Sequence, residues 1–301
     1  MSSARRGIVA ISVTGMLWAT IGISVRLLQD HADLDSLVIL FWRLVVASLA
    51  LALIVGAKGA RSLLAELRRP DRGARLLVVS VASIGFQLTY FYAVADVGVA
   101  AATLVTLGLA PVAAVVVESA RARQWPAPLT LAVLLCALTG LALVSLSRST
   151  EIVAPHPARG LALAVASGLL YAGSTLISRR LSGRLSPQAL TAGTTMIGLV
   201  LLLVPALVIG AAVPLTAPVL GGLAYLGLVT TVIAYMLFYL GLRTTPGGVA
   251  MVLTLLEPAT AVVLAAVLLA EPITLTSGSG ALLVLTAVAV LSLAPSVSSP
   301  P

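Results

Sequence analysis

The sequence predicts an all-α membrane protein of ten transmembrane helices arranged as two inverted five-helix repeats. Three observations predict it. Of 301 residues, 60% are apolar and only 9% are Asp, Glu, Lys or Arg, against roughly 25% charged in a soluble domain. Apolar stretches close to the ~20 residues needed to cross a bilayer recur along the whole chain. The second half also aligns on the first in the same order. A soluble monomer, a disordered chain and a disulfide scaffold are excluded by this composition, and the single cysteine, Cys136, reads as a small core hydrophobe.

Cutting at charges, prolines and short polar clusters gives spans at 7–28, 34–55, 75–95, 98–118 and 127–146, then at 160–181, 187–210, 219–242, 247–270 and 276–294. The first is too long for the core of a secretory signal and no small-residue cleavage site follows it, so it counts as a span. Continuous rather than alternating apolar runs favour helices over a barrel. Two repeats, 1–147 and 160–301, follow, joined by a polar linker at 148–159, while Gly56 to Ala74 reads as the longest loop.

Basic residues orient the chain. With the N-terminus in the cytoplasm, fourteen of the 18 Lys and Arg lie inside, clustered at Arg5–Arg6, Lys58–Arg75, Arg121–Arg123, Arg179–Arg184 and Arg243. Arg26, Arg148 and Arg159 fall outside and Arg43 falls within a span, while Asp30, Asp33, Asp35, Asp96, Glu151 and Glu271 mark the outer loops. Both termini are therefore expected in the cytoplasm. The net charge of +8 reads as topology and not as a nucleic-acid partner.

At an offset of 153, residues 7–28 align on 160–181 with six identities, among them Gly7/Gly160, Gly15/Gly168, Ala19/Ala172 and Arg26/Arg179. From Tyr90 onward the offset becomes 147 and matches Phe91/Phe238, Tyr92/Tyr239 and Pro111/Pro258. Five spans per half reverse the chain direction, so the halves are expected to be inverted copies about an axis in the membrane plane, the arrangement that supports alternating access. Small residues four apart, Gly15 with Ala19 and Gly168 with Ala172, are expected to pack closely there.

Several segments carry a family likeness: Leu17-Trp18, Phe41-Trp42-Arg43, the run from Tyr90 to Ala95, the run from Leu109 to Val116, and above all Leu255 to Thr274 with its Leu-Glu-Pro. Together with the inverted repeat they resemble the drug/metabolite transporter superfamily, in particular its EamA-type ten-helix members. The resemblance implies a secondary transporter, often an exporter of amino acids or other small metabolites, in the cytoplasmic membrane of a bacterium. The first half departs from the pattern, with Gln124 at the repeat position of Glu271.

Ionisable groups inside spans cost about 2.5 to 3.5 kcal/mol each on insertion scales, so they need a reason. Two lie deep. Arg43 is roughly 12 Å of helix from Asp35, and Glu257 roughly 15 Å from Gly247, so both reach the midplane from opposite faces. Three roles are open to this pair: a structural ion pair, recognition of a substrate with Glu257 alternatively carrying protons, or separate structural roles. Trp18, its repeat partner Tyr171, Gln87, Tyr90 and Tyr235 lie at comparable depth and are candidates to line a substrate pocket. Pro111 and Pro258 are candidate hinges, because each removes a helical hydrogen bond. Tyr92, Trp125 and Tyr239 read as interfacial anchors.

His31 and His156 have no companion ligand at metal spacing, so no metal site is expected. No nucleotide or hydrolase motif occurs, and no cofactor is expected. The partners expected are a small-molecule substrate, the lipid bilayer and protons. An intramembrane enzyme acting on a lipid-linked substrate and a channel stand as the rival classes.

Overall fold

The computed structural model describes residues 3–147, 156–269 and 272–293; Arg148, Glu151, Glu271 and most of the 148–159 linker lie outside these. The helices are α1 (Ser3–Ala32), α2 (Ser36–Leu67), α3 (Pro70–Ala122), α4 (Pro128–Leu146), α5 (Pro157–Ser182) and α6 (Pro187–Ile209). Then α7 (Ala217–Tyr225) continues through a π-helical turn, Leu226–Ile233, into α8 (Ala234–Leu242); α9 (Gly247–Thr254), α10 (Leu256–Leu269) and α11 (Leu275–Leu293) complete the chain. Among the described residues, nine helical stretches, with α7–α8 and α9–α10 each taken as one, are long and apolar enough to cross a membrane. One of them contains two of the ten expected spans.

That helix is α3. Its 53 residues would extend about 80 Å if straight, far beyond a bilayer. Instead Gly98 adopts φ 80°, ψ 162°, a conformation that glycine enters at little cost. The Tyr90 hydroxyl and Thr103 Oγ1 then stand 2.7 Å apart, where a straight helix would separate them by about 20 Å. The chain therefore turns back at Gly98, giving α3 two limbs.

A second glycine corrects the sequence reading. Gly56, at φ 61°, ends the straight part of α2 where the second span was expected to end, but helix resumes and runs to Leu67. The segment expected as a loop is helical because it is rich in Ala, Leu, Lys and Arg, all good helix formers. Prolines in the first turn start α3 to α7, where a missing N–H costs nothing. Side chains cap α2 and α6, through Asp35 Oδ1 to Leu37 N and Ser186 Oγ to Ala189 N.

The two halves interlock through equivalent contacts. A Cβ on Gly15 would lie 3.3 Å from Leu253 O and Leu256 Cβ; one on Gly168 would lie 2.8 Å from Thr106 O and 3.2 Å from Leu109 Cβ. These partners are themselves related by the offset of 147. Likewise Thr14 Oγ1 donates to Ala234 O of α8, and Ser167 Oγ donates to Phe86 O of α3. The first helix of each half thus packs on the third and fourth spans of the other half, and the small-residue faces serve the contact with the fourth. The last helices of the two halves also meet, α4 on α11, where a Cβ on Gly140 would meet Gly280 O at 2.6 Å and one on Gly280 would meet Gly140 O at 2.7 Å.

Candidate substrate cavity

The helix ends define two faces. On one, Thr244 Oγ1 donates to Ser3 O, Gly241 presses against Gly7 O and Ile11, and Arg243 Nε donates to Ser182 O. On the other, Arg159 holds Asp96 through two bonds of 2.7 and 2.6 Å, and Leu28 packs on Gly222. Between the faces lies a cavity of about 250 Å³. All seven pocket candidates, Trp18, Arg43, Gln87, Tyr90, Tyr171, Tyr235 and Glu257, are on its wall, and so is Pro258; Pro111 is buried within α3 and is not.

The cavity is open at one end only. Toward the N-terminal face its wall is sealed by Ser174, Thr175, Ser178, Phe238 and Tyr239, each no more than 5% exposed. Toward the Gly98 face the wall ends at exposed Val99 and Gly22 and half-buried Thr103, Phe91 and Ala261.

Arg43 is placed by α2 and is 7% exposed. Its Nη2 donates to Gln87 Oε1, and Gln87 is steadied in turn by Nε2 donating to Ser83 O. Its Nε has no partner. Glu257, in the first turn of α10, has no ion pair or hydrogen bond among the described residues. The two deep charges share a cavity, and no ion pair joins them among the described residues. Leaving a buried polar atom unsatisfied costs about 1 to 3 kcal/mol, and since the Arg43 Nε is closed off from the cavity, the rest of the guanidinium is the part left to meet a ligand.

Aromatic side chains make the remaining wall, and the backbone explains two of them. In the π-helical turn the N–H of Ala234 reaches back to Val229 O, and Thr230 O instead accepts the Trp18 indole N–H at 3.1 Å. Trp18 is thereby fixed against Tyr235 and Phe238, with ring centroids 5.2 and 5.4 Å away. Across the cavity Tyr171 donates to or accepts from Thr254 Oγ1 and stacks on Phe86 at 4.9 Å. Helix α9 ends at Thr254, and the break at Leu255 lets α10 start anew with Glu257 and Pro258 on the cavity wall.

Sequence reasoning missed three features. Tyr239, expected at the interface, is 1% exposed and lines the sealed end; its ring packs on Tyr235 and Phe238. Ser174 and Thr175 stand one helical turn before Ser178 on α5, a polar stripe in an apolar span that would have signalled the wall. Glu118, at the end of the second limb of α3, accepts hydrogen bonds from Gly247 N at 2.8 Å, Gly248 N at 3.0 Å and Arg179 Nη1 at 3.2 Å.

Comparison with known proteins agrees with this architecture. A family model described as the EamA-like transporter family matches twice, over residues 5–146 and 158–293. The uncharacterized transporter YwfM of Bacillus subtilis is 30% identical over 220 residues, covering 73% of each chain. The uncharacterized inner membrane transporter YicL of Salmonella typhimurium is 24% identical over 294 residues, covering 97% of each. A crystal structure only 19% identical in sequence has the same fold, with a TM-score of 0.79 over 93% of this chain and 94% of that one.

Proposed function

The chain belongs to the EamA-like transporter family, and on that premise we propose that it is an alternating-access carrier of small zwitterionic metabolites, amino acids foremost, working as an exporter. The observation that carries this reading is a cavity lined by both Arg43 and Glu257, with no ion pair between them among the described residues. A ligand bearing a carboxylate and an ammonium group would engage both. The space favours a small metabolite, since clefts for drug-sized ligands run from about 300 to 1,000 Å³. One sealed end favours a carrier over a channel, which needs a continuous path.

In this reading the face carrying Arg5, Arg121, Arg179 and Arg243 is cytoplasmic, and the cavity opens outward beside Asp96. The location is the bacterial inner membrane, with both termini in the cytoplasm. Glu257 takes the ammonium group of the substrate and exchanges it for a proton on the return step, so the expected coupling ion is H⁺. The test is counterflow in proteoliposomes preloaded with single amino acids. Saturable uptake that depends on preloaded substrate is expected; bulk conductance without counterflow would sink the carrier reading.

A further inference from the structure

We propose that Glu118 is the latch that holds the sealed end of the cavity shut, and that its absence from the repeat-related position sets which end of the protein stands open. The inference rests on the carrier reading.

The carboxylate sits at the end of the second limb of α3 and takes three donors from two other helices. The N–H groups of Gly247 and Gly248 are the first of α9, unpaired within their own helix and at the positive end of its dipole. The third donor, Arg179, is in the last turn of α5. Glycine is what lets α9 come so close: a Cβ on Gly247 would stand 2.7 Å from Leu176 Cδ2, and one on Gly248 would stand 2.7 Å from Val115 Cγ2. One side chain thus ties spans four, six and nine below Ser178, the residue that seals the cavity there.

Inverted repeats provide the control. The offset of 147 carries Glu118 onto Ala265 of α10, and Gly247 and Gly248 onto Ala100 and Ala101, just past the Gly98 turn. At this second end the position repeating Glu118 offers no carboxylate to α3, and the ion pair present there, Asp96 with Arg159, joins α3 to α5 instead; α3 does not pack along α10 as it packs along α9, and the cavity mouth lies between Ala261 and Thr103 of those same helices. The bond that closes one end is missing where the other end is open. Two halves with equal backbones would populate both states alike; an ionic latch at one end biases the population.

Thiol accessibility tests this without any substrate, on the full chain with Cys136→Ser in lipid nanodiscs. Ser178→Cys reports the sealed end and Ala261→Cys the mouth, each labelled with a charged, membrane-impermeant maleimide. Adding Glu118→Gln should raise the labelling rate of Ser178→Cys about tenfold, the factor that follows from losing one charged hydrogen bond, and lower that of Ala261→Cys. Arg179→Gln, which removes one donor of three, should move both rates in the same directions by less, and it serves if Glu118→Gln does not fold. Unchanged rates, or rates that rise at both ends as general loosening would give, overturn the latch. If the rates move oppositely while counterflow is absent, the latch stands and the carrier reading fails.

Discussion

The first and second halves of the chain differ in chemistry far more than in packing. Gly15 on Leu253 and Leu256 reproduces Gly168 on Thr106 and Leu109, and the Thr14 hydroxyl bond to α8 reproduces the Ser167 bond to α3. Yet Arg43 faces Met196 across the repeat, Glu257 faces Ala110, and Glu118 faces Ala265. Backbone contacts must match for both access states to be nearly equal in energy. A zwitterion held between the halves is not symmetric, so its carboxylate and its ammonium group call for different residues on the two sides.

The largest expected effect tests that division. Arg43→Gln and Glu257→Gln should each lower counterflow at least about tenfold, the cost of one charged hydrogen bond, with the melting temperature close to that of the parent. Moving the charge, as Met196→Arg in an Arg43→Met background, should not restore transport, because the position repeating Gln87 is Ala234 and nothing there would orient a guanidinium. Restored transport would make the halves chemically interchangeable and break the comparison.

Packing equivalence can be sharpened next. At Gly168 a methyl group would press on a backbone oxygen at 2.8 Å, whereas at Gly15 the nearest atoms stand at 3.3 Å. Gly168→Ala is therefore expected to destabilise by about 1 to 3 kcal/mol through overpacking. For Gly15→Ala, a gain in helix propensity of roughly 1 kcal/mol offsets the milder clash. Thermal melts of the two variants in one detergent decide; a lower melting temperature for Gly15→Ala would show that the contacts are not graded as their distances are.

Much of this was legible in the sequence, because a lipid solvent leaves few options. Apolar runs gave the spans, and depth counted from the span ends placed the seven candidates on one cavity wall, since polar groups at mid-span have nowhere else to go. What the sequence hid depends on contacts between distant segments. Glu118 looks cheap at a span end until α9 of the other half brings two N–H groups to it. Tyr239 has the depth of an anchor, but α8 is packed on α1, α5 and α6 at that level, leaving it no lipid to reach. The break at Leu255 was legible, because Pro258 cannot donate to the Thr254 carbonyl, whereas the helix beyond Gly56 was masked by its charges.

The two prolines set the finest test of the comparison. They align across the repeat, but Pro258 stands in the first turn of α10, just after the break at Leu255, while α3 continues through Pro111 with no non-helical residue nearby. In a first turn the missing N–H would have had no helical partner, so a proline costs little there; inside a helix it removes a bond and crowds the preceding turn. If bending of the fourth span of each half drives the change of access, the second half bends at the break already present at Leu255, and the first half bends at its proline. Pro258→Ala should then leave counterflow near the parent rate, and Pro111→Ala should slow turnover without changing the substrate concentration at half-saturation. Equal slowing by both variants would show that the prolines themselves are the hinges, and an unaltered rate in Pro111→Ala would remove the hinge from the first half.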